Sequence, residues 1–231
     1  MDDLDLLARP APTPQRPLLG QTVLVVEDSR YASEAIRLLS MRSGARIRRA
    51  DCIASAERHL NTYRAGIAIV DLGLPDGSGL ELIDRLAKAG QRPMVLLATS
   101  GRDRDEVEAD ALAAGADGFL PKPIDSLAAF QQAIIRHLPP EMRPKGLRAV
   151  SAETIEPDPL ALAEDLALAE RMLDDGATPR FVADFLHGLA RTGHDRVLLA
   201  ETARLARPAT DDIRPRLRSL IAERLRVREM V

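Results

Sequence analysis

Four apolar runs of strand length, TVLVV (22–26), GIAIV (66–70), PMVLLA (93–98) and DGFL (117–120), punctuate the first 138 residues of the chain. A fifth run, ARIRRA (45–50), is charged and reads as an edge strand. Segments with helical spacing follow each run, marked by Tyr31, Ala35, Leu38 and Leu39, by Leu80, Ile83, Leu86 and Ala87, and by Leu127, Phe130, Ile134 and Leu138. Ala56, Leu60 and Tyr63, and Val107, Ala111 and Ala114, mark the other two. Five strand-then-helix units with continuous apolar strands predict a parallel sheet covered on both faces. Ligands of such sheets bind outside the carboxyl ends of the strands.

Composition sets the bounds. A chain of 231 residues accommodates two small domains, and 45% hydrophobic content is ample for their cores. Aromatics are 3% with no Trp, so packing rests on Leu, Ala, Val and Ile. The net charge of −3 gives no global attraction to nucleic acid or anionic membrane. No apolar run reaches the roughly 20 residues of a membrane span, and MDDLDLLARP carries acids where a signal peptide carries bases. The single cysteine, Cys52, excludes an internal disulfide and reads as a small buried residue in a helical segment. A cytoplasmic protein without a membrane partner is expected.

Prolines divide the chain. Pro10, Pro12, Pro14 and Pro17 mark a tail over residues 1–19, and Pro139, Pro140, Pro144, Pro157 and Pro159 mark a linker over 139–159. These bounds give an α/β domain at 20–138 and a small all-helical domain at 160–231.

The residues that end each apolar run carry the chemistry. Glu27 and Asp28 follow TVLVV, Asp71 follows GIAIV, Thr99 and Ser100 follow PMVLLA, and Lys122 and Pro123 come just after DGFL. Each alone has a plain structural explanation, such as a helix cap or a solvated loop charge. Together they place three carboxylates, hydroxyls and a lysine on one rim. Crowded carboxylates call for a divalent cation such as magnesium, which prefers oxygen ligands. A carboxylate is also a competent phosphoryl acceptor, with a metal and a lysine stabilising the transferring group.

VLVVEDS, IVDLGLPDGSG, LLATSG and GFLPKPI, taken in order, resemble the receiver domain of two-component response regulators over residues 22 to about 138. The resemblance implies a flavodoxin-like five-stranded doubly wound parallel sheet. It also implies magnesium-dependent phosphorylation of Asp71 by a sensor histidine kinase, a phosphotransfer protein or a small phosphodonor. Asp28 would then bind the metal directly, Glu27 through water and Gly73 through its carbonyl. Thr99 would be the switch hydroxyl, Lys122 its partner, Lys122–Pro123 a cis peptide and Phe119 either a switch aromatic or an ordinary core residue. Asp76 reads as a turn residue before Gly77. With Gly73 two positions after Asp71, no side chain reaches over the phosphoryl group from there, which leaves the acyl-phosphate lifetime open. The receiver resemblance makes no enzyme of the chain beyond its own phosphorylation and dephosphorylation.

After Pro159 the pattern is Leu- and Ala-rich and helical throughout, with stops at Gly176, Gly193 and Pro208. The last helix is basic, with six arginines from Arg214 to Arg228 and with Asp211 and Asp212 at its start. Residues 141–231 nevertheless hold 15 Lys and Arg against 16 Asp and Glu, not the basic footprint of a DNA-binding domain. An interaction or dimerisation domain is therefore the primary expectation, serving a downstream protein or a second copy of the chain. DNA binding is the alternative. A histidine phosphotransfer bundle using His187 or His194 is a second alternative, although LHGLARTGH lacks the His-x-x-Lys-Gly pattern of that family. Phosphorylation is expected to act through the face formed by helices 102–114 and 125–137.

Overall fold

The computed structural model describes residues 11–146, 152–205 and 213–229. Its centre is a five-stranded parallel sheet in the order β2–β1–β3–β6–β7. The strands are β1 (Thr22–Val26), β2 (Arg46–Ala50), β3 (Ile67–Asp71), β6 (Val95–Ser100) and β7 (Gly118–Pro121). β4 (Gly73–Leu74) and β5 (Gly77–Ser78) form a separate two-stranded antiparallel ladder. The charged run at 46–50 is the edge strand, where exposed arginines discourage further pairing.

Side-chain alternation decides which helix covers which face. Val23, Val25, Ile67, Ile69, Val95 and Leu97 point to one side, where they meet α1 (Arg30–Arg42) and α5 (Leu127–Ile135) through Ile36, Leu39, Phe130 and Ile134. Leu24, Val26, Ala68, Val70, Leu96 and Ala98 point to the other. There they meet α2 (Ile53–Thr62), α3 (Gly79–Lys88) and α4 (Arg104–Ala113). This is the flavodoxin-like doubly wound arrangement.

Three local readings are revised. Residues 11–19 of the proline-rich stretch do not all extend into solvent: Leu18 is fully buried in the α1/α5 core, and its N–H donates to Ser43 O at 2.9 Å. Cys52 is not inside α2 but at its N-cap and makes no side-chain cap bond; Asp76 caps the helix instead, accepting from Ile53 N (2.8 Å) and Ala54 N (2.9 Å). Within the linker, Pro140–Met142 form a 3-10 turn and Thr154 bridges Ser126. Ile155 is buried beside Leu127 and Phe130, so this part of the linker is stitched to α5.

The C-terminal part is a four-helix domain of α6 (Pro159–Asp174), α7 (Pro179–Thr192), α8 (Arg196–Leu205) and α9 (Arg214–Glu229). Proline at the first position follows an Asp158 cap in α6 and a Thr178 cap in α7. Leu166, Ala169, Leu173, Val182, Leu186, Leu189, Leu217 and Ile221 form its core. Asp211 and Asp212 lie outside the described residues. Among the described residues, no helix is long and apolar enough to cross a membrane.

The helical domain does not sit on the α4/α5 face. It packs α6 and α7 against α1 and the rim of the sheet, and Tyr31 of α1 packs against the bundle's core. The physical reason is local: α1 begins at Arg30, Ser29 caps only Ala32 N, and Asp165 of α6 accepts from the Arg30 and Tyr31 N–H groups. Leu18→Ala should lower unfolding free energy by about 2–5 kcal/mol in urea titration, as for a buried Leu. A change within about 0.5 kcal/mol would instead mean a loosely held surface segment.

Candidate functional site

Parallel strands deliver their carboxyl ends to one rim, and the residues just past them converge there. Glu27 and Asp28 leave β1, Asp71 ends β3, Ser100 ends β6 and Lys122 follows β7. The Lys122 Nζ lies 2.9 Å from Glu27 Oε1 and 2.7 Å from Oε2, and donates a further bond to Asp71 Oδ2. Asp71 Oδ1 accepts from Gly73 N at 3.2 Å. Carboxylate oxygens of Glu27, Asp28 and Asp71 all lie within 4.8 Å of one another.

The electrostatics follow from burial. One ammonium faces three carboxyls where little water reaches. Burial first, and the Asp71 charge second, push the Asp28 carboxyl up to about 8. The same two causes raise Glu27 well above the usual carboxylate range, against the opposing pull of Lys122. Burial works against the Lys122 charge, yet Asp71 and Glu27 outweigh it and hold the ammonium protonated. Asp28 Oδ2 is buried without a hydrogen-bond partner. Excess negative charge, clustered oxygens and an unpartnered buried carboxylate oxygen fit a hard divalent cation held by Glu27, Asp28 and Asp71.

Of the remaining expected residues, Gly73 lines the cavity, and a Cβ there would meet nothing within 4 Å. Thr99 is the register partner of Asp71 on the neighbouring strand. Its Oγ1 is buried and unpartnered, and it does not line the cavity. Ser100 does line it, with Oγ accepting from Arg102 N at 3.0 Å. Phe119 is turned inward among Val107 and Ala111. The Lys122–Pro123 peptide is cis. Gly79 was not singled out from sequence, yet a Cβ there would stand 1.9 Å from Asp71 O, so α3 starts against the end of β3 only because residue 79 has no side chain.

The site has a second wall. A cavity of about 210 Å³ over Asp71 is closed on its far side by Phe181, Asp184, Phe185, Gly188 and Leu189 of α7. Sequence reasoning missed these residues, although an isolated Gly188 inside an apolar helix is a sign of close backbone approach. It also missed Asp165 of α6. Asp165 Oδ2 accepts from Ser29 Oγ (2.8 Å) and Tyr31 N (2.9 Å), and Oδ1 from Arg30 N (3.0 Å). His187 lies off the cavity, half-buried, with Nδ1 3.0 Å from Thr202 Oγ1. His194 Nε2 is 3.0 Å from Asp125 Oδ2.

The α/β half of the chain is similar in sequence to known proteins. The family model for the response regulator receiver domain matches residues 23–134. Residues 23–134 are a response regulator receiver domain. The receiver is 36% identical over 116 residues to the virulence transcriptional regulatory protein PhoP of Salmonella typhimurium, covering 49% of this chain and 51% of that protein. The corresponding figures for the transcriptional regulatory protein PhoP of Escherichia coli are 34%, 49% and 52%. The chain thus spans about half the length of the curated relatives it matches. Among solved structures, the chemotaxis response regulator CheY4 of Vibrio cholerae aligns at 22% identity with a TM-score of 0.46, over 51% of this chain and 98% of that one. A Francisella receiver domain aligns at 25% and 0.44, over 51% and 93%.

The raised Asp28 carboxyl gives the receiver a signed pH response. With the folded pKa near 8, Asp28 contributes stability that is full below the ordinary carboxylate range and is lost as pH rises from about 4 to 8. A divalent cation held by Asp28 would favour its ionised form. The rise in Tm on adding saturating magnesium should therefore be larger at pH 8 than at pH 6 by differential scanning calorimetry. Asp28→Asn should abolish most of that difference.

Proposed function

We propose that the chain is a response regulator of cytoplasmic two-component signal transduction, whose receiver takes a phosphoryl group on Asp71 and thereby controls the helical domain. The observation that carries this reading is the buried Lys122–Asp71–Glu27 network beneath a cavity of about 210 Å³. Magnesium, held by Glu27, Asp28, Asp71 and the Gly73 carbonyl, would supply charge neutralisation for the transferring group. An Asp71 oxygen attacks phosphorus, the bond from phosphorus to the donor's nitrogen or oxygen breaks, and its electron pair leaves with the donor. Lys122 stays protonated throughout and balances the added charge, and the unpartnered Thr99 hydroxyl would bond a phosphoryl oxygen once its loop moves toward the cavity.

The output is read as protein interaction, with a downstream protein or a second copy of the chain as partner. The relatives named as transcriptional regulators align only through their receivers, so they do not decide it. Internal pairing of α9 favours the interaction reading over DNA. Arg216 pairs with Glu201 (2.7 Å), Arg218 with Asp174 (2.6 Å) and Arg224 with Asp195 (2.7 Å). Guanidinium groups already matched to carboxylates within the bundle are poorly placed to neutralise phosphates.

Incubation with acetyl phosphate and magnesium should add one phosphoryl group by intact-mass spectrometry, and Asp71→Asn should add none. Uptake at the same stoichiometry in Asp71→Asn would sink the reading. Mobility shifts against random DNA should be absent at every salt concentration. A shift weakening steeply with salt would return the DNA alternative to first place.

A further inference from the structure

We infer that the helical domain is a removable roof over the phosphoacceptor: closed, it admits only small phosphodonors, and it must undock before a donor histidine carried on another protein's helix can reach Asp71. The inference rests on the reading of Asp71 as phosphoacceptor.

The cavity over Asp71 belongs to both domains. From α7 it takes positions 181, 184, 185, 188 and 189, one continuous face of that helix. Gly188 lies close to the chemistry: a Cβ there would lie 3.9 Å from Lys122 Nζ. Opposite it, a Cβ on Gly101 would come within 2.5 Å of Gly188 Cα. Two glycines therefore let the backbone of α7 rest on the loop that follows Thr99. The remaining space, about 210 Å³, holds several waters' worth of volume and suits a cation with a small phosphorylated molecule. A second helix is about 10 Å across and cannot share this rim with α7.

The roof is not itself the donor. His187 is displaced from Gly188 by one residue, about 100° around the helix. Its ring is engaged by Thr202 inside the bundle. Over Lys122, α7 presents a glycine, so the bundle covers the acceptor without offering an imidazole.

Two of the contacts that hold the roof down are made to loops that carry site residues. Asp165, 1% exposed, caps the start of α1 just after Glu27 and Asp28. Arg191 donates to Gly101 O (3.1 Å) and pairs with Asp103 (2.8 Å) just after Thr99 and Ser100. Any shift of the Thr99 loop toward a phosphoryl group moves Gly101 relative to Gly188, and so works directly on the closed contact.

The test uses the full chain with acetyl phosphate and magnesium, following phosphoryl uptake by mass and amide exchange at Arg30 and Tyr31 by NMR. Gly188→Leu should take up the phosphoryl group roughly tenfold or more slowly, because the side chain fills the closed cavity. Asp165→Ala should lose protection at both amides and take up the group no more slowly than wild type. The double variant should recover to the rate of Asp165→Ala, since an open roof no longer places residue 188 over the site. Two results overturn the roof: Gly188→Leu at the wild-type rate with both amides still protected, or a double variant as slow as Gly188→Leu. No uptake in wild type, or uptake that survives Asp71→Asn, strikes instead at the phosphoacceptor reading.

Discussion

A single buried ammonium, Lys122, holds together carboxylates that would otherwise drive each other apart. Glu27 and Asp71 are both nearly removed from water, and each depends on Lys122 for a charge-assisted bond. Removing either partner of such a set leaves an uncompensated buried charge, typically destabilising by about 3–5 kcal/mol. Only a scaffold that brings β1, β3 and β7 to a common edge can assemble it, because these residues are separated by 44 or more positions in sequence. The parallel order places β1 and β3 side by side at the centre and brings Asp71 next to Thr99 on β6. The apolar strands behind them supply the rigidity that keeps one cation and three carboxyls in register. Three carboxyls against one ammonium make the rim suited to a divalent cation.

A second buried carboxylate, Asp165, meets the same problem with a different partner. It is neutralised not by a cation but by the N–H groups of Arg30 and Tyr31 and the Ser29 hydroxyl at the start of α1. Burial still raises its pKa above the ordinary range despite those bonds. Its charge also contributes to the upward shift of Asp28. The two clusters therefore lie close enough to influence one another's ionisation. Domain docking and site chemistry share one electrostatic field, which no description of the receiver alone would contain.

What was legible in the sequence follows the range of the interaction. The sheet could be read because β-face alternation and helical spacing are local patterns, and Val23, Leu24, Val25 and Val26 divide between two cores as the pleat requires. The rim could be read because strand ends are fixed once strands are. Asp76 does lie in a turn, as its neighbours indicate, but its capping role is not legible because the cap bonds go to Ile53 and Ala54, more than 20 positions away in sequence. Leu18 sat among prolines that mimic a disordered tail, although one buried leucine is enough to anchor the segment. The docking of the bundle was missed for the same reason at larger scale: Asp165 reads as one more acid on a helix, and its partners are backbone N–H groups that no sequence pattern displays.

Docking over the site also sets how strongly the two states must differ. Hydrogen bonds to a charged group contribute about 1.5–3 kcal/mol each, but the three on Asp165 share one carboxylate and do not add. A latch of roughly 3 kcal/mol leaves the open form near 1% of molecules. A small donor that enters the closed cavity is indifferent to that population. A protein donor that needs the open form binds with an apparent affinity lowered by about a hundredfold. The same bundle therefore discriminates between donors through its open population, and a phosphoryl group that weakens the Gly101–Gly188 contact raises that population by no more than its own preference for that state.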